Sequence, residues 1–181
     1  TVTVTDKAER ALRAGHPWVF EGEVLAQEDC ADGGIVDVRS RRGRWLGAGF
    51  FNRASRIRVR VLSRNANDRF DDDFFARRVR YALDYRRTVM PGTDFDACRL
   101  IFGEADGFPG LTVDRFEDVL VTEVLCLGIE QRRDSIYRAL VRELGEAGVA
   151  VRALYERSDA PIRAKEGLPP VTGYYPLPGL E

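Results

Sequence analysis

Thr1-Val-Thr-Val-Thr5 alternates polar and apolar residues from the first position. That period of two sends successive side chains to opposite faces of a strand. Asp6 can cap a short helix reaching Leu12 and Arg13, which Gly15 ends. In Gly15-His-Pro-Trp-Val-Phe20, Pro17 keeps His16 out of the α region and removes a backbone donor. The result is a bend leading into a strand. Extended patterns follow at Val24–Gln27, Ile35–Arg39, Trp45–Phe51 and Arg56–Leu62, separated by Asp32-Gly-Gly, Arg41-Arg-Gly and Asn52-Arg-Ala-Ser. Short strands spaced by turn signals predict a small curved β-barrel ending near Ser63.

The pattern then changes period. After the polar Asn65-Ala-Asn-Asp68, Asp71 to Asp73 supply acid to a helix N-terminus, and Arg86 and Arg87 supply base to its last turn. Phe75, Val79, Ala82, Leu83 and Met90 recur at helical spacing up to Pro91-Gly92. Arg99 to Phe116 reads as a strand, a dense turn (Gly103, Asp106, Gly107, Pro109, Gly110) and a second strand. Val119–Leu127 predicts a strand, Ile129 to Leu144 an amphipathic helix, and Val149–Glu156 a further strand. Together these make an α+β unit over about 68 to 160. From Arg163 the periodicity fails, and the Pro- and Gly-rich remainder reads as a linker cut short.

Composition sets outer limits. The chain of 181 residues is 44% hydrophobic and 31% charged, which is globular rather than disordered. It shows no bilayer-length apolar run and no basic-then-apolar leader, so a soluble cytoplasmic protein with no membrane partner is expected. Cys30, Cys98 and Cys126 are far apart and odd in number, fitting reduced thiols rather than a disulfide or zinc framework. The net charge is −1, but Arg39 to Arg60 contains eight arginines and no acid. One basic face on an otherwise acidic body suits a polyanion.

No catalytic constellation emerges, and no metal site is expected. The single histidine, His16, suits a turn packed on Trp18 better than a triad. Glu104, Asp106 and Asp114 could pair for acid–base work, but acids in a Gly-rich turn generally bind backbone donors. Asp114 and Arg115 are candidates for an ion pair or for anchoring a neighbouring domain. The turn is not a phosphate cradle, because its acids would repel phosphate and no helix follows it. The arginines carry the stronger candidate. Arg13, His16 and Trp18 lie at the first turn, and Arg39, Arg41, Arg42 and Arg44 border the Arg-Arg-Gly turn. On the next strand, Arg56, Arg58 and Arg60 share one side. Guanidinium groups so aligned suit a phosphate backbone. The alternative is a solvated face paired with acids of the second domain. Trp45, Phe50 and Phe51 are either stacking surfaces or core.

Gly15-His-Pro-Trp-Val-Phe20, then Gly-Glu-Ala-Asp-Gly-Phe-Pro-Gly-Leu-Thr-Val-Asp-Arg-Phe116, then Tyr155-Glu-Arg-Ser-Asp159 with Arg163 and Lys165-Glu-Gly167 occur in order along the chain. In this the chain resembles the N-terminal part of the ribosomal RNA large subunit methyltransferase I family, enzymes that use S-adenosylmethionine to form 5-methylcytosine in large-subunit (23S) ribosomal RNA. The resemblance implies an α+β architecture: a PUA-like RNA-binding barrel over 1–66, a strand-strand-helix-strand central domain over 67–168, and a linker at 169–181. It places the Rossmann-like methyltransferase domain outside this chain. It therefore implies no catalytic or cofactor-binding residue here, with S-adenosylmethionine bound only in the parent enzyme. The implied partner is ribosomal RNA of the large subunit, held through Arg13, His16, Trp18, Arg39, Arg41, Arg42, Arg44, Arg56 and Arg58. Glu104, Asp106, Asp114 and Arg115 would position one domain against another. Homodimerisation stays open, as do a free-standing RNA-binding adaptor and a protein-interaction module without RNA binding.

Overall fold

Thr5 accepts from the backbone of Ala8 at 3.2 Å and starts the first helix one residue after the first strand ends. The computed structural model describes residues 1–178 and 180; Gly179 and Glu181, at the end of the expected linker, lie outside the described residues. In chain order the first half contains β1 (Val2–Val4), α1 (Asp6–Arg13), β2 (Trp18–Phe20), β3 (Val24–Gln27), β4 (Ile35–Ser40), β5 (Trp45–Phe51) and β6 (Ile57–Ser63). These strands form one sheet in the order β2-β6-β5-β4-β1-β3, with β1 parallel to β4 and the other neighbours antiparallel.

The end strands β2 and β3 are not hydrogen-bonded to each other, yet only Glu21–Glu23 separates them in sequence. Three residues span roughly 10 Å, so the sheet must curl until its ends nearly meet. The expected barrel is thus a curled sheet that backbone pairing does not close. Val2, Val4, Leu12, Val19, Val38, Phe51 and Val59 fill its interior.

The second half contains α2 (Asp72–Val89), β7 (Ala97–Phe102), β8 (Leu111–Phe116), β9 (Val119–Val124), α3 (Leu127–Glu130), α4 (Arg133–Glu146), β10 (Ala153–Ser158) and β11 (Val171–Tyr174). Asp71 caps α2 by accepting from Phe74 N at 3.0 Å. The sheet order is β11-β10-β9-β8-β7. Its pairs are antiparallel except β9 and β10, which run parallel and are joined through α3 and α4. A parallel pair requires such a crossover, and β–α–β is the building block of Rossmann-like sheets.

Two expectations are corrected here. The second unit is not strand-strand-helix-strand with all Rossmann-like structure missing, because it has five strands and carries a β–α–β unit. Residues 171–174 are an edge strand rather than linker, and Leu177 is buried in the second core.

β5 and β6 are buried on both faces, which decides how the two halves meet. Phe51 points into the first core, while its neighbour Phe50 joins the second. Phe50 pairs with Arg60 across β5 and β6, so the arginine-bearing side of β6 turns toward the second unit. A second contact comes from α3 and its flank. Arg132 lies 5.0 Å above the Phe50 ring and donates to Gly33 O at 2.9 Å, and Gln131 donates to Asp32 O at 3.0 Å.

Candidate nucleic-acid interface

α1 buries Ala8 and Leu12 against the first sheet, which leaves Arg10 and Arg13, three residues apart, on its outer side. The β4–β5 turn faces the same space. Gly43 adopts φ +77°, a left-handed conformation that glycine takes at little cost, and its N–H donates to Ser40 O at 2.9 Å. Ser40 Oγ accepts from Arg44 N at 3.2 Å. The turn so fixed leaves Arg41, Arg42 and Arg44 exposed. Arg10, Arg13, Arg42 and Arg44 line one groove of about 590 Å³, with Asp6 and Glu9 on the helix side. Among the described residues none of these four arginines, nor Arg41, forms an ion pair. Their charge is available to a polyanion.

The remaining sequence candidates divide by partner. Arg39 is spent within its own turn, donating to Gly43 O at 3.1 Å and lying 3.4 Å from Asp37. Arg58 is mostly buried and pairs with Glu21 at 2.7 Å, with a further bond to Arg53 O. Arg56 is exposed. His16 Nδ1 accepts from Trp18 N at 3.1 Å and its ring meets the indole edge-on at 5.8 Å, as the turn reading expects. Phe50 and Phe51 are buried, so neither offers a stacking surface.

Trp18 is half-buried, and its Nε1 donates to Glu104 Oε1 at 2.7 Å, joining β2 to the β7–β8 turn. The same oxygen lies 3.4 Å from Arg60. Arg60 reaches Glu166 at 2.9 Å, and Glu166 also accepts from Ser55 and, at 3.2 Å, from Asn52 Nδ2. Beside this network a second cleft, of about 400 Å³, opens between the two units. Of the turn acids, only Glu104 reaches across. Asp106 takes Arg86 at 2.6 Å and Phe102 N at 2.7 Å, Asp114 takes Arg99 at 2.8 Å, and Arg115 binds Asp96 at 3.2 Å and Phe95 O at 2.8 Å. Those three fasten the hairpin within its own half.

Sequence reasoning passed over Arg10, Arg60 as an interface residue, and Glu166. Helical spacing from Arg13 marks Arg10. No periodic signal marks Glu166, which lies on a 3-10 turn at Pro161–Glu166. Burial pushes the Cys126 thiol up to about 11 and also raises Cys98 and Cys30, so none is an activated nucleophile. Among the described residues no group of three or more His, Cys, Asp or Glu could hold a metal, and no helix is long and apolar enough to cross a membrane.

Residues 2–64 match the model of the PUA-like domain family. The chain is 39% identical over 173 residues to a ribosomal RNA large subunit methyltransferase I of Alteromonas mediterranea, covering 95% of this chain and 42% of that protein. It is 38% identical to the protein of the same name from Escherichia coli, covering 93% and 42%. The resemblance to this group of proteins holds along nearly the whole chain, which spans about two fifths of the relatives' length. Among solved structures, a Streptococcus mutans protein assigned as a SAM-dependent methyltransferase superposes with a TM-score of 0.75 at 18% identity, covering 97% of this chain and 43% of that one. A second protein, assigned as a methyltransferase and solved with SAH, gives 0.74 at 19% identity, covering 87% and 40%. The fold of this chain therefore recurs in about two fifths of each of those chains, and with the β–α–β unit it overturns the expectation that Rossmann-like structure is absent here.

Proposed function

We propose, from its likeness along 95% of its length to ribosomal RNA large subunit methyltransferases I, that this chain holds large-subunit ribosomal RNA for SAM-dependent cytosine-5 methylation. The observation that carries the reading is the groove between α1 and the β4–β5 turn. Four arginines from two elements converge there, none in an ion pair among the described residues. Arg10, Arg13, Arg42 and Arg44 take phosphates, with Arg41 beside them. Arg39 and Arg58, already bonded, shape the surface around that grip. Glu104 ties the turn to Trp18 and Arg60, and so sets the angle between the RNA-holding sheet and the second unit.

S-adenosylmethionine supplies the methyl group when bound to such an enzyme. The strand-to-helix turn after β9 does not fit it: a methyl at Gly128 would strike the Phe50 ring, and one at Gly110 would lie 2.7 Å from Cys126 Cβ. A base must leave its stack before its ring carbon is reached, so a grip that fixes the backbone on either side serves the reaction directly.

The test is binding of the chain to an unpaired-loop RNA across a salt series. Four phosphate contacts on single-stranded RNA give a slope of log K on log salt of about −3. Absence of binding at low salt would overturn the reading and favour a protein-interaction module.

A further inference from the structure

The 400 Å³ cleft beside Trp18 lies apart from the arginine groove, and its lining differs in kind. Trp18, Ile57, Leu125 and Ile162 give it apolar walls, while the exposed Arg56 and Lys165 sit on the same lining. Its size falls within the range of small-ligand sites.

One buried polar group there is unmatched, and a partly exposed carboxylate lies beside it. Arg60 is 8% exposed, and its Nε–H is buried without a hydrogen-bond partner. A buried donor left unpaired costs free energy comparable to a lost hydrogen bond, so its persistence calls for an explanation. Beside it, Glu104 uses Oε1 for both Trp18 and Arg60. Its Oε2 has no partner among the described residues. A donor and an acceptor side by side, between an indole and aliphatic side chains, with cations nearby, match one chemical class. Flat rings stack on aromatic side chains, base edges present paired donors and acceptors, and phosphate follows the base.

We infer that this cleft takes one unpaired nucleotide of bound RNA: its base between Trp18 and Ile162, its edge toward Arg60 Nε and Glu104 Oε2, and its phosphate on Arg56 and Lys165. The inference rests on the RNA-binding reading and adds a base-sized site to a backbone grip. Trp18 joins the two units through Glu104, so an occupied cleft would also bear on the angle between them.

The two tryptophans allow a direct test on the whole chain, since each indole N–H gives its own NMR resonance. Cytidine monophosphate is titrated into the protein and both resonances are followed. Trp18 is expected to shift with saturation and Trp45, which donates to Asp37 at 2.9 Å, to stay in place. Ribose 5-phosphate, which lacks the base, should produce no such shift. Ile162→Glu, at an exposed position, should weaken the nucleotide by about tenfold. Arg42→Glu with Arg44→Glu should leave the shift intact while reducing RNA binding. Movement of neither resonance, movement of both together, or an equal response to ribose 5-phosphate would overturn the inference. If RNA binds with a steep salt slope and Trp18 does not respond, the cleft fails and the groove stands. If Trp18 responds and RNA does not bind the groove, the reverse holds.

Discussion

Arg60 of β6 and Glu166 of the Pro161–Glu166 turn meet at 2.9 Å with both side chains nearly sealed from solvent, 106 residues apart in sequence. A surface pair of this type contributes little, because water screens it. A buried pair behaves differently, since removing one partner strands the other's charge. Here Arg60 also lies 3.4 Å from Glu104, so its loss leaves two carboxylates facing each other. Arg60→Met should destabilise the chain by about 3–5 kcal/mol in urea denaturation. Adding Glu104→Gln and Glu166→Gln should restore most of that. A triple variant no more stable than the single would show that shape, not charge, is what Arg60 supplies.

Gly128 supports the same junction by having no side chain. A methyl there would run into the Phe50 ring that β5 projects into the second core. Overpacking of this kind costs about 1–3 kcal/mol, so Gly128→Ala should lower the urea midpoint. Phe50→Leu added to it should recover part of the loss. If Gly128→Ala is neutral, α3 can shift away from β5, and the packing between the halves is looser than the structure shows.

The arginines separate into those exposed without an ion pair among the described residues and those bonded within the fold. Arg42→Glu with Arg44→Glu should remove two phosphate contacts and flatten the salt slope by about 1.4 on single-stranded RNA. Arg58→Ala should leave that slope unchanged. The Arg58 side chain is mostly buried and also donates to backbone carbonyls of Asn52 and Arg53, so the change should cost about 1–3 kcal/mol of stability while leaving the slope alone. Equal effects of the two changes on the slope would mean that the basic surface acts as an undivided field.

That division marks how far the sequence could be read. Alternation along Arg56 to Arg60 places Arg56, Arg58 and Arg60 on one side, but it cannot say whether that side meets water or protein. The answer depends on Glu104 and Glu166, two long-range partners with no local signal. Arg13, Arg42 and Arg44 were legible because a helix end and an Arg-Arg-Gly turn display side chains whatever the tertiary packing. β3 and β5 kept their expected bounds for the same local reason. β11 was missed because Val171-Thr-Gly-Tyr174 is short and flanked by Pro-rich chain, with Gly173 at φ +138°. The parallel β1–β4 pairing, on which the curl of the first sheet depends, leaves no trace in periodicity.

The α2–α4 contact should be sensitive to acid. Glu143 is buried and accepts from Arg80 Nε at 2.8 Å and Arg142 at 3.2 Å. The Arg80 hydrogen bond, followed by Arg142, holds its carboxyl below the ordinary 4.5 against the opposing effect of burial. A carboxylate depressed by folding contributes stability above its unfolded value, and that stability is lost as pH falls through the folded one. Glu143→Gln should therefore melt below the parent at pH 7, with the gap closing as pH drops under 4.5. A gap independent of pH would show that the pair acts through packing alone.

Thiol labelling examines the interior from another side. Cys98 and Cys126 are buried and Cys30 is only partly covered. With burial holding Cys126 at about 11, roughly one molecule in a thousand carries its thiolate at pH 8, and the thiolate is the reactive form. A disulfide reagent at pH 8 should titrate one thiol quickly in the folded chain and three in denaturant, and Cys30→Ser should abolish the fast phase. The packing of Cys126 against Gly110 and its buried place at the N-cap of α3 agree with this order. Rapid modification of Cys126 would mean that the turn after β9 opens readily. That turn would then have to be reconsidered as a place where a ligand or a catalytic thiol could act.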